Sequence, residues 1–292
     1  MRILSWNIQW GRGTDGRVDL VRTADTIAGV DPDVICLQEV ARHHPDLPGM
    51  DGNAPDQVRW LRERFGGCEG VFAAGSDHSD GAGGRRQFGE MILSRLPVLQ
   101  VFRHLLPWPA ESGTPSMQRV ALEAVLAAPG LPGGALRVVT THLEYYSAGQ
   151  RRAQVGALRR IHAEGWHQAR CARAGAGVDP PFAVLPRGEG AVFCGDFNHP
   201  AGAPEHADLQ APFGGDDLGV PPLVDAWTIA HPGVPHAPTA ALTPVDWLDA
   251  PACFDFFHAG ADLTHRVRDV RVDAQCRASD HQPVILDLEI PS

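Results

Sequence analysis

Short apolar runs recur along the whole chain and predict buried strands. The runs are rich in β-branched and aromatic residues, which favour strands that are packed on both faces. They lie at residues 2–8, 34–37, 71–74, 91–93, 120–127, 136–141, 191–194, 253–258, 267–272 and 284–290. Apolar positions at helical spacing predict helices over about 18–30 and 150–162, and Asp56 is expected to cap a short helix between them. Many strands, few helices and no internal repeat indicate α+β packing in one domain that spans residues 1–292.

Polar segments rich in Gly, Pro and Asp separate these predicted elements. Residues 76–86 and about 199–222 are predicted to be surface loops, and about 171–190 to be an irregular insertion before the next strand. Residues 223–227 start a short ordered segment. We expect the loops at 41–56, 75–87, 105–118 and 163–190 to determine the substrate, although their composition does not identify it.

The composition is that of an ordinary globular protein, and its negative net charge disfavours one class of function. The chain has 292 residues and a net charge of −10, and all 25 basic residues are arginine. Such a protein repels polyanions overall, which disfavours broad nucleic-acid binding. The absence of lysine excludes lysine-based covalent chemistry. Because arginine codons are GC-rich, the exclusive use of arginine also indicates a GC-rich bacterial genome.

The cysteines and the hydropathy indicate an intracellular protein. Six cysteines occur without a CxxC pair, and Cys36 and Cys194 lie inside apolar runs as small core residues. A chain of this length does not need disulfides, so we expect reduced thiols, a cytoplasmic location and a monomer. The start of the chain does not resemble a signal peptide, and no apolar run is long enough to predict a membrane anchor.

Polar side chains follow the apolar runs at several strand ends. The run Ala191–Cys194 continues into Gly195, Asp196, Phe197 and Asn198, which places a carboxylate and an amide two residues apart at a strand mouth. The comparable positions after other runs, together with one carboxylate inside a run, are Asn7, Glu39, His142, Asp255, Asp280 and His281. A carboxylate inside an apolar run needs a donor partner, because an unpaired buried charge is expensive.

Each of these residues also has an ordinary explanation. His142 could be a core histidine, Glu39 a surface residue, and Asp196 with Asn198 a common strand-to-turn exit. Together they predict one crevice at the edge of a sheet sandwich. The crevice offers oxygen ligands for a hard metal ion and a His–Asp pair for proton transfer. That combination suits hydrolysis of a phosphoester.

The motifs resemble those of the endonuclease/exonuclease/phosphatase superfamily, which includes DNase I-like nucleases, sphingomyelinases, inositol-phosphate 5-phosphatases and tyrosyl-DNA phosphodiesterases. The matching segments run in the family's order from residue 3 to about 288. They are SWNIQW, CLQEV, GEMILSRLPV, MQRVALEAVL, TTHL, the R-x-x-Q of Arg151 and Gln154, CGDFNHP, LVDAW, FDFFHAG and SDHQPV. The combination of QE, GDFN and SDH at these separations is specific, whereas WN or QE alone would be weak.

The resemblance implies a DNase I-like, four-layer αββα sandwich with a divalent metal at its edge, Mg²⁺ or alternatively Mn²⁺. It implies that Glu39, Asn7 and Asp280 hold the metal. It further implies that His281, oriented by Asp255, is the catalytic histidine, and that Asp196, assisted by Asn198, activates water. The implied phosphate-binding residues are Asn7, Arg119, His142 and Asn198.

One position departs from part of the family. Gln9 stands where the repair nucleases often carry an aspartate, which puts a second metal site in doubt. The THLE segment followed by R-x-x-Q is more similar to the phosphatase, lipase and tyrosyl-phosphodiesterase branches. A calcineurin-like metallophosphoesterase is disfavoured because no GNH motif occurs.

These observations predict a Mg²⁺-dependent phosphoesterase that acts on a small-molecule, lipid-like or nucleotide phosphoester. The alternative is a nuclease or a DNA-end-processing phosphodiesterase, against which the acidic balance and the lack of a basic, aromatic-interleaved tract weigh. A third alternative is a binding module that kept the fold and lost the chemistry. It is disfavoured because every catalytic position implied by the resemblance is filled.

Overall fold

The computed structural model describes residues 1–52, 55–171, 179, 183 and 185–291. Within these ranges the strands form two six-stranded sheets. The strands are β1 Arg2–Asn7, β2 Val34–Arg42, β3 Glu69–Ser79, β4 Arg85–Ser94, β5 Val98–Leu105, β6 Val120–Ala127, β7 Ala135–His142, β8 Ala191–Asp196, β9 Leu223–Asp225, β10 Asp255–Gly260, β11 Val267–Val272 and β12 Val284–Leu288. The α-helices are α1 Leu20–Val30, α2 Gln57–Arg64, α3 Ala148–Arg170, α4 Pro204–Gln210 and α5 Ala226–Ala230.

Each sheet has one parallel pair at its centre. The first sheet has the order β11-β12-β1-β2-β4-β3, and the second has the order β5-β6-β7-β8-β10-β9. Strands β1 and β2 are parallel and joined through α1, while β7 and β8 are parallel and joined through α3. The neighbours of these pairs run antiparallel to them. The carboxyl ends of four central strands therefore lie in the middle of their sheets.

Three apolar clusters define four layers. Ile3, Val34, Leu122, Val138 and Leu286 belong to the core between the two sheets. On the outer face of the first sheet, residues of α1 and α2 pack on residues of β1, β2 and β4. On the outer face of the second sheet, residues of α3 and α4 pack on residues of β7, β8 and β10. The αββα sandwich predicted from the sequence is confirmed.

The helix boundaries follow from local capping. Asp19 accepts a hydrogen bond from the backbone N–H of Arg22 at the start of α1. At the start of α2, Asp56 accepts a hydrogen bond from the backbone N–H of Arg59, as the sequence predicts. At the start of α3, Ser147 accepts one from the backbone N–H of Gln150. An oxygen at this position satisfies one of the N–H groups that have no partner within the helix. Helix α1 ends at Asp31, which has a left-handed φ of 52° and precedes Pro32.

The predicted loop at 76–86 is mostly a strand hairpin. Strand β3 runs to Ser79 and β4 begins at Arg85, so only the residues between them form the turn. Polar cross-strand pairs hold this ribbon, since Arg85 Nε donates to Asp77 Oδ1 at 2.8 Å. Its Gly- and Asp-rich composition is typical of loops, which explains the wrong prediction.

Helix α3 extends eight residues beyond its predicted end at 162, to Arg170. A buried arginine from β7, Arg137, donates to the carbonyl oxygens of Ile161 and His162 and passes close to Gly165. A Cβ at Gly165 would lie 2.0 Å from that guanidinium. The apolar periodicity is therefore interrupted where the helix packs on a polar group. Strand β5 and helix α4 were not predicted at all.

The insertion predicted at about 171–190 falls largely outside the described residues, and its described part contains neither helix nor strand. All six cysteines are free thiols, and Cys36 and Cys194 are fully buried, as predicted. Among the described helices, none combines the length and apolar character needed to cross a membrane.

Candidate active site

The carboxyl ends of the four central strands meet at one edge of the sandwich. Asn7 ends β1, His142 ends β7 and Asp196 ends β8, while Glu39 lies within β2. The Asn7 Nδ2 atom donates to Glu39 Oε1 and to Asp196 Oδ2, both at 3.1 Å. Asn7 and Glu39 belong to the first sheet and Asp196 to the second. One buried amide therefore links the two sheets at the site.

Backbone irregularities aim two of these carboxylates. The β2–β4 register shifts between Leu37 and Val40, and Glu39 has a left-handed φ of 60°. Such a bulge redirects a side chain at the end of regular pairing. In β8, Gly195 has a φ of 136°, and a Cβ there would lie 1.9 Å from the Thr141 carbonyl oxygen. Glycine at this position allows β8 to approach β7 closely enough to bring Asp196 beside the end of that strand.

Asp255 and His281 form a buried hydrogen-bonded pair. The His281 Nδ1 atom lies 2.9 Å from Asp255 Oδ2, and Thr239 Oγ1 donates to the same oxygen at 2.6 Å. With Nδ1–H donated to Asp255, Nε2 lies on the side of Asp196, 3.6 Å from its Oδ2. Burial alone would lower the pKa of His281, but Asp255 and Asp196 outweigh burial and raise it well above its ordinary value.

His142 is a neutral histidine between two carboxylates. Its Nδ1 lies 3.7 Å from Glu39 Oε1 and its Nε2 lies 3.4 Å from Asp196 Oδ2. Burial, followed by the nearby Arg119 guanidinium, lowers its pKa well below the ordinary value. Arg119 is itself buried and pairs with Glu144 Oε2 at 3.4 Å. The imidazole can therefore donate a hydrogen bond without carrying charge.

Two carboxylates at the edge have raised pKa values because they are buried. Burial, and next the neighbouring Asp280, raise the pKa of Glu39 to about 7. Burial raises the pKa of Asp196 to about 6, although His281 opposes the shift. Glu39 Oε2 is buried and has no hydrogen-bond partner within the described part of the chain. Carboxylate and amide oxygens with an unsatisfied buried oxygen are the donor set that a hard divalent cation prefers, so these residues fit such an ion.

The remaining predicted residues lie at the same edge. The Asn198 backbone N–H donates to Asp196 Oδ1 at 2.9 Å, and its Nδ2 donates to the Leu143 carbonyl oxygen at 2.8 Å. Asp280 Oδ2 accepts from Gln9 Nε2 at 2.7 Å. Gln9 stands where the repair nucleases often carry an aspartate, and here its side chain holds the Asp280 carboxylate.

Three further site residues were missed by the sequence reasoning. Trp247 stacks on His281 with ring centroids 5.7 Å apart and planes at 12°, and its Nε1 donates to Asp280 Oδ2 at 3.2 Å. Thr239 holds Asp255 as described above. Glu90 of β4 is 4% exposed, and burial raises its pKa well above the ordinary value. The sequence signal available for Glu90 was a carboxylate directly before the apolar run at 91–93. Trp247 and Thr239 lie in an irregular loop, which has no periodic sequence pattern.

Two arginines of α3 donate hydrogen bonds to backbone carbonyl oxygens. Arg151 Nη1 donates to the carbonyl oxygens of Glu144 and Tyr145 at 2.9 and 3.0 Å. Arg159 Nη1 donates to the carbonyl oxygens of Asp208 and Leu209 at the end of α4. These two arginines therefore stabilise loop and helix ends.

The edge thus combines three chemical functions in a buried setting. Unsatisfied carboxylate oxygens can hold a cation, a carboxylate with a raised pKa can accept a proton near neutral pH, and a charged imidazole can stabilise a developing anion. This combination suits hydrolysis of an anionic ester.

Comparisons with known proteins identify relatives of the chain. Residues 4–281 match the model of the Endonuclease/Exonuclease/phosphatase family. A search of the curated proteins gives no significant match.

Several solved structures share the fold. One is an endonuclease/exonuclease/phosphatase from Beutenbergia cavernae, with 22% identity over 100% of this chain and 72% of that one, and a TM-score of 0.65. Another is truncated TDP2 from Caenorhabditis elegans, with 20% identity, 98% and 96% coverage and a TM-score of 0.61. A third is a mannosyl-6-phosphatase from Bacteroides thetaiotaomicron, with 14% identity, 99% and 100% coverage and a TM-score of 0.61.

Proposed function

Because the chain belongs to the endonuclease/exonuclease/phosphatase family, we propose that it is a divalent-metal-dependent phosphoesterase, with Mg²⁺ as its metal. The observation that carries the proposal is the Asn7 amide that joins Glu39 and Asp196, with the His281–Asp255 pair 3.6 Å away from Asp196. In this proposal the whole chain is one catalytic domain that acts as a monomer in the bacterial cytoplasm.

Glu39 is the principal metal ligand in this proposal, supported by Asn7 and Asp280. A bound divalent ion would neutralise charge on the phosphoester oxygens and lower the pKa of water. The unsatisfied Oε2 of Glu39 supports this role. Asp280 Oδ2 already accepts two donors, Gln9 Nε2 and Trp247 Nε1, which hold this carboxylate in a fixed orientation.

Asp196 acts as the general base that accepts the proton of the attacking water. Its pKa of about 6, raised by burial, suits a base that works near neutral pH. The Asn198 backbone N–H fixes Oδ1 and leaves Oδ2 facing the imidazoles of His142 and His281. Asn198 reaches the phosphate through its second amide hydrogen, because the first is donated to Leu143.

His281 acts in its protonated form and stabilises the charge that develops on the leaving oxygen. Asp255 and Thr239 are positioning residues that hold its ring. Arg119 and neutral His142 donate hydrogen bonds to the phosphate oxygens, whereas both amide hydrogens of Asn7 are donated to Glu39 and Asp196, the two carboxylates beside the phosphate. Charged and neutral donors arranged before the reaction lower its barrier without reorganisation.

A small-molecule, lipid-like or nucleotide phosphoester is the proposed substrate class. The net charge of −10 and the lack of a basic, aromatic-interleaved tract in the sequence disfavour a polyanion such as DNA. Similarity in fold to a mannosyl-6-phosphatase is compatible with a small phosphorylated substrate. A nuclease is the second candidate, and the assay below includes its substrate.

A phosphoester panel with Mg²⁺ and Mn²⁺ tests the proposal. The panel contains bis(p-nitrophenyl) phosphate, p-nitrophenyl phosphate, sugar phosphates, phospholipid headgroup esters and supercoiled plasmid. We expect metal-dependent turnover that EDTA abolishes and that Glu39→Ala eliminates in a folded protein. Glu63→Ala is the matched control, because the side chain of this α2 carboxylate is 62% exposed and pairs with Arg59 on the same helix. If Glu39→Ala binds Mg²⁺ as tightly as the parent by calorimetry, Glu39 is not a ligand and the proposed site is wrong.

A further inference from the structure

A second group of metal-ligating side chains lies outside the crevice. His206 belongs to α4, Asp225 ends β9, and His236 follows α5. The Nε2 atoms of His206 and His236 lie 3.0 and 2.6 Å from Asp225 Oδ2, and the three ligand atoms are within 4.8 Å of one another. Ligand atoms of a tetrahedral zinc ion stand about 3.3 Å apart, given bonds of about 2 Å. Small movements would therefore open the triad around an ion.

A further buried histidine faces the same place. His258 lies directly opposite Asp225 in the antiparallel β9–β10 ladder, so both side chains project from the same face of the sheet. Its exposure is 0%, and neither ring nitrogen has a hydrogen-bond partner among the described residues. Its ring centroid is 5.1 Å from that of His206. A fully buried imidazole without any partner is costly, and ligation of an ion would satisfy it.

A hydrogen-bonded network without metal explains only part of this arrangement. Asp225 Oδ2 accepts from two imidazoles, and its Oδ1 accepts from the Trp227 backbone N–H at 2.9 Å. That network satisfies Asp225 but leaves His258 without a role. Two or three imidazoles and one carboxylate form a donor set for Zn²⁺ or another first-row transition ion, whereas Mg²⁺ prefers oxygen ligands.

The triad lies at the base of the loop that covers the catalytic pair. This loop, residues 231–254, carries His236, then Thr239 and Trp247. Thr239 donates to Asp255, and Trp247 stacks on His281. Asp225, His236, Thr239 and Asp255 line the same small cavity between the two groups.

We propose that His206, Asp225 and His236, with His258 as the fourth candidate ligand, form a transition-metal site whose expected occupant is Zn²⁺. The bound ion fastens the 231–254 loop to β9 and thereby supports the positions of Thr239 and Trp247. Metal binding at this site does not depend on the proposed phosphoesterase activity. Only its effect on the catalytic pair rests on that proposal.

Elemental analysis of the full chain tests the site. The Glu39→Ala protein, which lacks the principal ligand of the crevice, and variants built on it are stripped with EDTA, incubated with Zn²⁺, desalted and analysed for zinc. Parallel incubations use Mn²⁺, Fe²⁺, Co²⁺ and Ni²⁺. The variants are His206→Ala and His236→Asn, and the control is His265→Asn, an exposed histidine elsewhere on the chain. Circular dichroism checks that each protein is folded.

We expect ~1 tightly held zinc ion per chain in the Glu39→Ala protein and in its His265→Asn derivative. His236→Asn should weaken zinc binding by at least about 100-fold, because it removes a ligand. The protein should stay folded because His236 lies on a loop, although its side chain is only 16% exposed. Zinc should raise the melting temperature of the Glu39→Ala protein and not that of its His236→Asn derivative. If zinc uptake is absent, or is the same without His206 and His236, the site does not exist. Absence of zinc with normal Mg²⁺-dependent turnover of the parent would overturn this inference alone.

Discussion

The hydrogen bond between Asp255 and His281 predicts how much Asp255→Asn and His281→Ala should each lower the catalytic rate. In the described ranges of the chain, two side chains donate to Asp255, His281 through Nδ1 and Thr239 through Oγ1. Both donate to Oδ2, while Oδ1 is buried without a partner there. In Asp255→Asn, the carbonyl oxygen of the amide is therefore expected at the Oδ2 position, where it can still accept from both. The NH₂ group takes the unpartnered position. The ring keeps its orientation and tautomer, and only the negative charge is lost.

The magnitude follows from the difference between charged and neutral hydrogen bonds. A hydrogen bond to a charged group contributes about 1.5–3 kcal/mol and a neutral one about 0.5–1.5 kcal/mol, so the substitution costs about 1–2 kcal/mol. We expect Asp255→Asn to lower kcat by about 5–30-fold. His281→Ala removes the charge-stabilising group itself and should lower kcat by about 10³-fold or more.

Steady-state kinetics on the parent, both single variants and the double variant decide the matter. Since Asp255 acts only through His281, the double variant should lie within about 3-fold of His281→Ala. Circular dichroism and thermal melts serve as controls for folding. If the two losses multiply, Asp255 acts independently of His281 and the pairing is wrong. If Asp255→Asn is as damaging as His281→Ala, the argument from Oδ2 geometry fails.

Three further predictions concern the fold and the site. Gly195→Ala should destabilise the protein by about 2–4 kcal/mol in denaturant unfolding, because a Cβ would lie 1.9 Å from a β7 carbonyl oxygen at a φ of 136°; an unchanged midpoint would contradict this. Burial opposes ionisation of Glu123, but His104 and Arg187 outweigh it and lower its pKa to about 2. The ionised Glu123 therefore stabilises the fold above the unfolded-state pKa near 4.5, and this stabilisation is lost as the pH falls towards 2. The parent should exceed Glu123→Gln in unfolding free energy, and this difference should shrink by about 3 kcal/mol between pH 5 and pH 2. A difference that stays constant over this range would refute the reasoning. Trp247→Phe keeps a ring over the imidazole and should lower kcat/KM by a few-fold, whereas Trp247→Ala should lower it by about 10-fold or more; equal kinetics for the two variants would show that stacking is unimportant.

The sequence predicted buried elements better than exposed ones. Strands with continuous apolar runs, such as β1 and β8, were located to within a few residues because both faces are buried. Strand β5 was missed because it lies at a sheet edge, is only partly buried and includes Gln100 and Arg103. The outer part of the β3–β4 ribbon, residues 76–86, was assigned to a loop because it is polar. Periodicity reports burial, so it is weak wherever a strand borders solvent.

The candidate site was predictable where regular structure determines position. Parallel strands bring their carboxyl ends to a common edge, so Asn7, Glu39, His142 and Asp196 could be expected to meet once the apolar runs were read as strands. The roles assigned to these residues stay predictions until the variants are measured. Trp247 and Thr239 could not be found in this way, because tertiary contacts of an irregular loop determine their positions. Glu90 carried the same signal as Asp255, a carboxylate beside apolar strand residues, and went unrecognised.

The arrangement of the two sheets explains why the crevice needs the whole sandwich. Each sheet contributes one parallel pair, and neither pair alone brings an amide, two carboxylates and a histidine together. The Asn7 side chain joins the sheets at the place where carboxylates of like charge would otherwise repel one another. A buried amide offers only hydrogen bonds to them. Burial, followed by the neighbouring Asp280, raises the pKa of Glu39 to about 7, and burial raises the pKa of Asp196 to about 6. A divalent cation at this edge would favour the ionised form of both carboxylates, so metal binding, sheet packing and the ionisation of the two carboxylates are linked.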